Sequence, residues 1–294
     1  MTKLVACIKS IRWFEIGVRM GAPLIAILLS IPQVDHSNVM RGVICLIGFF
    51  FCWAHGYTLN EWGGYEFDRY DKSRSRKPII SGAILPKEML ILSASFALIS
   101  ILIFAFLNPL LLILIIVDIV IGIFYCHPRI MGKTVPFFSF VSLFVVSVND
   151  FLLGWLVFSS DLIQGILVGI FFGILGLAGI SFHEVGDYDT DKELGVMTNA
   201  VRYGKRKIFL FGFFFYTLAV IYFVTLTFTG ILPGYLYIGF LISYPFYFFL
   251  AIKCLKVKTD SVQVKIFIKN YRLTYLGIGI YLIAVLTAFQ LSYY

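Results

Sequence analysis

Two short stretches of this sequence place acids at helical spacing: NEWGGYEFD at 60–68 and HEVGDYDTD at 183–191. Each opens on a polar residue followed by Glu, and each sets an Asp seven positions after that Glu. At about 100° per residue, positions i, i+3, i+4 and i+7 of a helix share a face. Glu61 would therefore align with Asp68, and Glu184 with Asp187 and Asp191. Acids stacked on one face repel each other and are costly near hydrocarbon unless a cation lies among them. Hard oxygen donors of this kind suit Mg²⁺, which keeps part of its water shell and binds through one or two carboxylates together with substrate phosphates. The duplicated pattern predicts two half-sites facing each other across one bound diphosphate. Either stretch alone would also fit a hydrated loop whose charges merely hold topology; two copies with matched spacing argue against that.

The rest of the chain determines where such a site would sit. Of its 294 residues 60% are hydrophobic and only 14% charged, with 31 Phe and 17 Tyr, which is incompatible with an ordinary soluble domain. A bilayer core asks for about 20 apolar residues per helix. Such runs fall near 14–32, 41–60, 89–107, 109–125, 135–157, 162–182, 208–230, 234–254 and 273–291, which predicts an all-α, polytopic membrane protein of nine transmembrane helices. With that count every Lys and Arg except Arg41 lies on one side, in the N-terminal segment or in loops 61–88, 126–134, 183–207 and 253–272. The positive-inside rule then puts the N-terminus and these loops in the cytoplasm. The net charge of +8 is explained by topology and an anionic leaflet, so nucleic acid is not expected as a partner but membrane lipid is.

Cys7, Cys45, Cys52, Cys126 and Cys254 have no spacing suited to a metal or a disulfide framework. The basic segment before Trp13 is too short in apolar residues for a cleavable signal, so the first span is expected to act as the membrane signal. No Pro-rich or Ser-rich linker divides the chain, and residues 1–294 read as one membrane-embedded domain in the cytoplasmic membrane.

Both acidic stretches resemble the aspartate-rich motifs of the UbiA superfamily of intramembrane prenyltransferases, N-D-x-x-D-x-x-x-D and D-x-x-x-D. Asn60, Glu61 and Asp68 match the first, and KPIISGAI (77–84) is similar to the R-P-L-x-S-G-x-I that follows it. Glu184, Asp187 and Asp191 match the second, and GVMTNAVRYG (195–204) is similar to G-x-x-T-x-A-V-R-L-G. Between them, YCHPRIMGK (125–133) resembles the family's segment of Tyr, Pro, Arg and Lys after the fourth span.

The resemblance implies nine helices around a central cavity whose polar end opens toward the cytoplasm. It implies Mg²⁺ as cofactor, a prenyl diphosphate donor, and a lipophilic acceptor, aromatic or a quinone precursor, that captures the allylic cation. Asn60, Glu61, Asp68, Glu184, Asp187 and Asp191 would hold metal, with Asp68, Asp187 and Asp191 central to catalysis. Arg76, Lys77, Arg129 and Lys133 would bind diphosphate, and Tyr125 would donate a hydrogen bond or turn its ring to the cation. His183 stands where the family has Asn, as a substrate-site group or a polar boundary residue. Asp118 and Asp150 lie inside apolar runs, where an acid is by default a functional suspect.

One departure is sharp. The family pattern has Asp where this chain has Gly64. Glu66 could replace the missing carboxylate only if the backbone at Gly63 and Gly64 leaves the helix, and Asp71 is the other candidate substitute. Two further readings remain open from sequence: a transporter or channel with an acidic metal vestibule, and a non-catalytic or cyclase-type member of the same superfamily.

Overall fold

The computed structural model describes residues 3–70, 74–257 and 259–292. Among these, nine spans are long and apolar enough to cross a membrane. The first is assembled from three short helices, α1 (Lys3–Ser10), α2 (Trp13–Arg19) and α3 (Gly21–Ser30). The others are α4 (His36–Asp68), α5 (Pro86–Leu107), α6 (Pro109–Cys126), α7 (Phe138–Trp155), α8 (Leu162–Glu193), α10 (Lys205–Phe228), α11 (Ile238–Lys256) and α12 (Ser261–Leu291). A short α9 (Asn199–Tyr203) precedes α10, from which Gly204 separates it at φ +96°.

Helix starts follow capping chemistry. Asp35 accepts from Asn38 N, Asp161 from Gln164 N and Asp260 from Val262 N, each satisfying an amide that the first turn leaves unpaired. Asn108 does the same for Leu110 N at the α5–α6 junction, where Pro109 provides the first residue of α6.

Three boundaries differ from the hydropathy reading. Helix α4 runs on through the first acidic stretch to Asp68, and α8 through the second to Glu193, so both motifs are helix ends and not loops. Helix α12 starts at Ser261 instead of near 273, because its charged residues interrupt the apolar run without interrupting the backbone hydrogen bonds.

Each span packs against the next, and α12 packs back against α3, so the nine form a closed ring. One close seam joins α7 to α8. A Cβ at Gly173 would come within 2.8 Å of Phe144 and Val148, and one at Gly176 within 2.5 Å of Ser147 Oγ. Small residues at helical spacing let two membrane helices approach closely, which is where their packing energy comes from in the absence of a water-driven term.

Candidate active site

A cavity of about 490 Å³ lies within the ring, lined from α2, α3, α4, α6, α7, α8 and α12. Asp68, Arg74, Lys133, Asp187 and Asp191 border it at the end where α4 and α8 terminate. The structure thus brings together the two acidic stretches, which are separated in the chain by the 114 residues between Asp68 and His183.

The first half-site is built from acids already paired with cations. Glu61 is only 5% exposed and accepts from Lys77 Nζ at 2.9 Å and Arg12 Nη2 at 2.5 Å. Asp68, equally buried, accepts from the same Lys77 Nζ at 2.8 Å and from Arg74. Lys77 therefore bridges two carboxylates one helical face apart, seven residues along α4. Asn60 lines the cavity, where its Oδ1 accepts weakly from Cys126 Sγ at 4.0 Å.

In the second half-site the acids divide between two roles. Glu184 is buried, and its carboxylate accepts from Ser139 Oγ at 2.6 Å, Asn199 Nδ2 at 3.1 Å and Ala200 N at 3.1 Å. These bonds tie α8 to α7 and to the start of α9, which engages both oxygens in holding the 195–204 segment. Glu184→Ala should therefore cost about 2–3 kcal/mol of stability, since it strands several buried donors; chemical denaturation in detergent reads this directly. Asp187 and Asp191, one turn apart, line the cavity and have no Lys or Arg salt bridge among the described residues. His183 Nε2 sits 3.7 Å from Asp187 Oδ2. Both residues also border an adjoining groove of about 420 Å³ flanked by Lys265, Lys269 and Arg272 of α12.

Other expected residues separate into two groups. Tyr125, Lys133 and Lys77 are at the site, Lys133 with its Nζ 6.0 Å from the Phe67 ring centroid. Arg76 and Arg129, expected to bind diphosphate, are exposed and lie outside the cavity lining. Arg74 and Arg12, which sequence reasoning did not single out, border the cavity instead. Arg74 is one of several basic residues in RSRK with no periodic cue to choose among them, and Arg12 reaches Glu61 across 49 positions.

The missing carboxylate is not replaced by Glu66. Helix α4 is regular through Gly63 and Gly64, so Glu66 points outward, 61% exposed in its side chain and paired with Arg69 at 3.1 Å. Asp71 lies outside the described residues. The two glycines differ in cause. A Cβ on Gly63 would stand 1.9 Å from the Cys126 carbonyl oxygen, so only glycine permits the approach of α6, whereas a Cβ on Gly64 would meet Asp68 at an ordinary 3.5 Å. Gly63→Ala is expected to lower stability by about 1–3 kcal/mol through overpacking, while Gly64→Ala leaves the melting temperature near wild type or higher; equal losses in a thermal scan would refute the distinction.

The donor set can be tested against Mg²⁺. Among the described residues no three His, Cys, Asp or Glu side chains converge as a ready protein-only site. Asp187 and Asp191 offer hard oxygens with no competing Lys or Arg bridge, which fits an ion that completes its shell with water and substrate phosphate.

A profile of the UbiA prenyltransferase family matches residues 22–290. A 4-hydroxybenzoate octaprenyltransferase of Paraburkholderia phymatum is 32% identical over 101 residues, a match covering 32% of this chain and about a third, 35%, of that relative. Among solved structures, a digeranylgeranylglyceryl phosphate synthase aligns at TM-score 0.74 with 20% identity, over 97% of this chain and 98% of its own. A UbiA homolog from Aeropyrum pernix aligns at 0.72 with 16% identity, over 95% and 99%. One from Archaeoglobus fulgidus bound to GPP and Mg²⁺ aligns at 0.66 with 16% identity, over 95% and 99%. With nine spans in a closed ring, two acidic helix ends meeting at one cavity, and a family profile running over nearly the whole chain, this protein belongs to the UbiA prenyltransferase family.

Proposed function

We propose that this chain moves an isoprenyl group from a prenyl diphosphate to a lipophilic acceptor within the membrane, with Mg²⁺. The observation that supports this most directly is the unlike character of the two half-sites at one cavity end. Among the described residues, helix α8 presents Asp187 and Asp191 without a Lys or Arg partner, and α4 presents its acids under Arg12, Arg74 and Lys77. A leaving diphosphate uses both, a metal held by free carboxylates and fixed cations beside it. The Archaeoglobus homologs solved with GPP or DMAPP and Mg²⁺ support the same donor class.

In this reading Asp187 and Asp191 hold the ion, with Asp68 and Asn60 facing them from α4, and Glu61 and Glu184 brace the two helix ends. When bound, Mg²⁺ neutralises the charge that develops on the diphosphate as its bond to the allylic carbon breaks. Arg74, Lys77 and Lys133 orient the diphosphate oxygens through N–H donors. Tyr125 presents its ring or hydroxyl at the same level, and the apolar wall below keeps water from the allylic cation. The excess of basic residues at this end supports a cytoplasmic orientation for it.

The test is incubation of purified protein with Mg²⁺ and labelled prenyl diphosphates of increasing chain length, with and without acceptors. Mg²⁺-dependent diphosphate release is the expected result. Donor binding without release under every acceptor would favour a non-catalytic isoprenoid-binding member, a reading that the absent carboxylate at Gly64 supports. Absence of both binding and release would remove the enzyme reading.

A further inference from the structure

Deeper in the same cavity, away from both acidic helix ends, the fold gathers a second polar cluster that the diphosphate chemistry does not use. Asp150 of α7 is 2% exposed, accepts from Trp53 Nε1 at 3.1 Å, and pairs with Arg19 Nη1 at 3.6 Å. The Arg19 guanidinium also lies 4.4 Å from the Trp53 ring centroid and donates to Ser147 Oγ at 3.3 Å. Asp118 of α6 is 7% exposed and borders the cavity on the same helix face as Gly122 and Tyr125. It accepts from Asn149 Nδ2 at 2.8 Å and has no other hydrogen bond or ion pair among the described residues.

The cluster thus contains two acids and one cation, and that cation is engaged by Asp150 and Trp53. An acid at this depth with one amide donor is under-satisfied. A ligand group that donates a hydrogen bond would relieve it, whereas a ligand carboxylate would bring a third acid beside two. Seven residues of α6 separate Asp118 from Tyr125, about 10 Å at 1.5 Å per residue. A two-ring compound spans that distance, and Trp53, Tyr57, Phe172 and Tyr275 supply aromatic wall around it.

We propose that Asp118, oriented by Asn149, recognises the acceptor, and that it selects one whose inner end carries an uncharged hydroxyl over one carrying a carboxylate there. The assignment rests on the prenyl-transfer reading and narrows its acceptor class.

The experiment uses the full chain in nanodiscs with Mg²⁺, geranylgeranyl diphosphate and either dihydroxynaphthalene or its carboxylated counterpart, dihydroxynaphthoate. Wild type should favour the diol in kcat/KM by about fivefold or more, the scale of one buried hydrogen bond. Asp118→Asn should erase that preference through the KM of the diol, while a non-hydrolysable thiolodiphosphate donor analogue still binds and shows the protein to be folded. Binding is also read without turnover, as quenching of Trp53 in a variant whose other three tryptophans, Trp13, Trp62 and Trp155, are Phe. Diol quenching that Asp118→Asn abolishes upholds the site even if no prenyl transfer occurs, in which case only the reading of the reaction fails. The assignment falls if wild type prefers the naphthoate, or if Asp118→Asn and Asp118→Leu both bind the donor analogue and keep the wild-type preference.

Discussion

Alanine at Asp191, or at Asp187, is expected to lower Mg²⁺-dependent diphosphate release by about 10³-fold, the consequence of losing several kcal/mol of metal-mediated charge stabilisation. These acids have no salt bridge to Lys or Arg among the described residues, so removing one relieves repulsion on α8 and breaks no pair with either cation. Stability should stay within about 0.5 kcal/mol of wild type or rise. The contrast with a neighbour makes the test specific. Asp189 lies on the outer side of the same helix, bound to Lys205 at 3.2 Å and Ser261 at 2.6 Å. Asp189→Ala should change turnover by less than about twofold, in keeping with the small worth of exposed pairs. Initial-rate measurements on the three variants, each with a melting curve, decide the matter: turnover surviving in both α8 cavity variants would overturn the metal assignment.

The second large effect is expected at Lys77. Its ammonium bridges Glu61 and Asp68, both 5% exposed, so Lys77→Met leaves two buried acids short of positive charge. Breaking a buried pair from one side typically costs about 3–5 kcal/mol, and because Arg12 and Arg74 remain the lower end is expected here. Turnover should fall with it, because in the proposed reading the same group helps orient the diphosphate. The double variant Lys77→Met with Glu61→Gln supplies the discriminating readout. Removing one acid removes part of the uncompensated charge, so the double variant should be more stable than the sum of the two single losses predicts. Strict additivity in denaturant titrations would mean that Lys77 stabilises by packing its methylenes and not by its charge.

The spans and the two acidic half-sites were legible in the sequence because both depend on local periodicity. Apolar runs of membrane length exist only to be buried or to face lipid, and Asp187 and Asp191 share a helix face by spacing alone. Helix ends were legible less well. Hydropathy stops at Asn60 and at Phe182, but the helices continue because their acids find Lys77, Arg12, Ser139 and Asn199 and need no water. The first span was read as one helix; its break at Met20, between α2 and α3, sets Arg19 within reach of Asp150. What could not be read was partnership across the fold. Glu61 and Glu184 look alike in their motifs, yet one lies under two cations and the other clamps α9. Nothing in either spacing distinguishes them. Gly64 was read as a possible opening for Glu66, but the regular helix there turns Glu66 away.

The closure of the ring also has a consequence for biogenesis. Gln290 Nε2 on α12 donates to the Leu28 carbonyl of α3 at 2.9 Å, joining positions 262 apart in the chain, and α12 supplies Tyr271, Arg272 and Tyr275 to the cavity wall. Contacts of such long sequence separation form late, after the intervening chain has been ordered. A nascent chain that has inserted eight spans already displays both acidic helix ends but has one side of its cavity open to lipid and water. The allylic cation of the proposed reaction would find no shelter there. Ring closure by the ninth span therefore acts as an assembly step: in the proposed reading, chemistry can begin only once α12 has docked on α3 and completed the cavity wall.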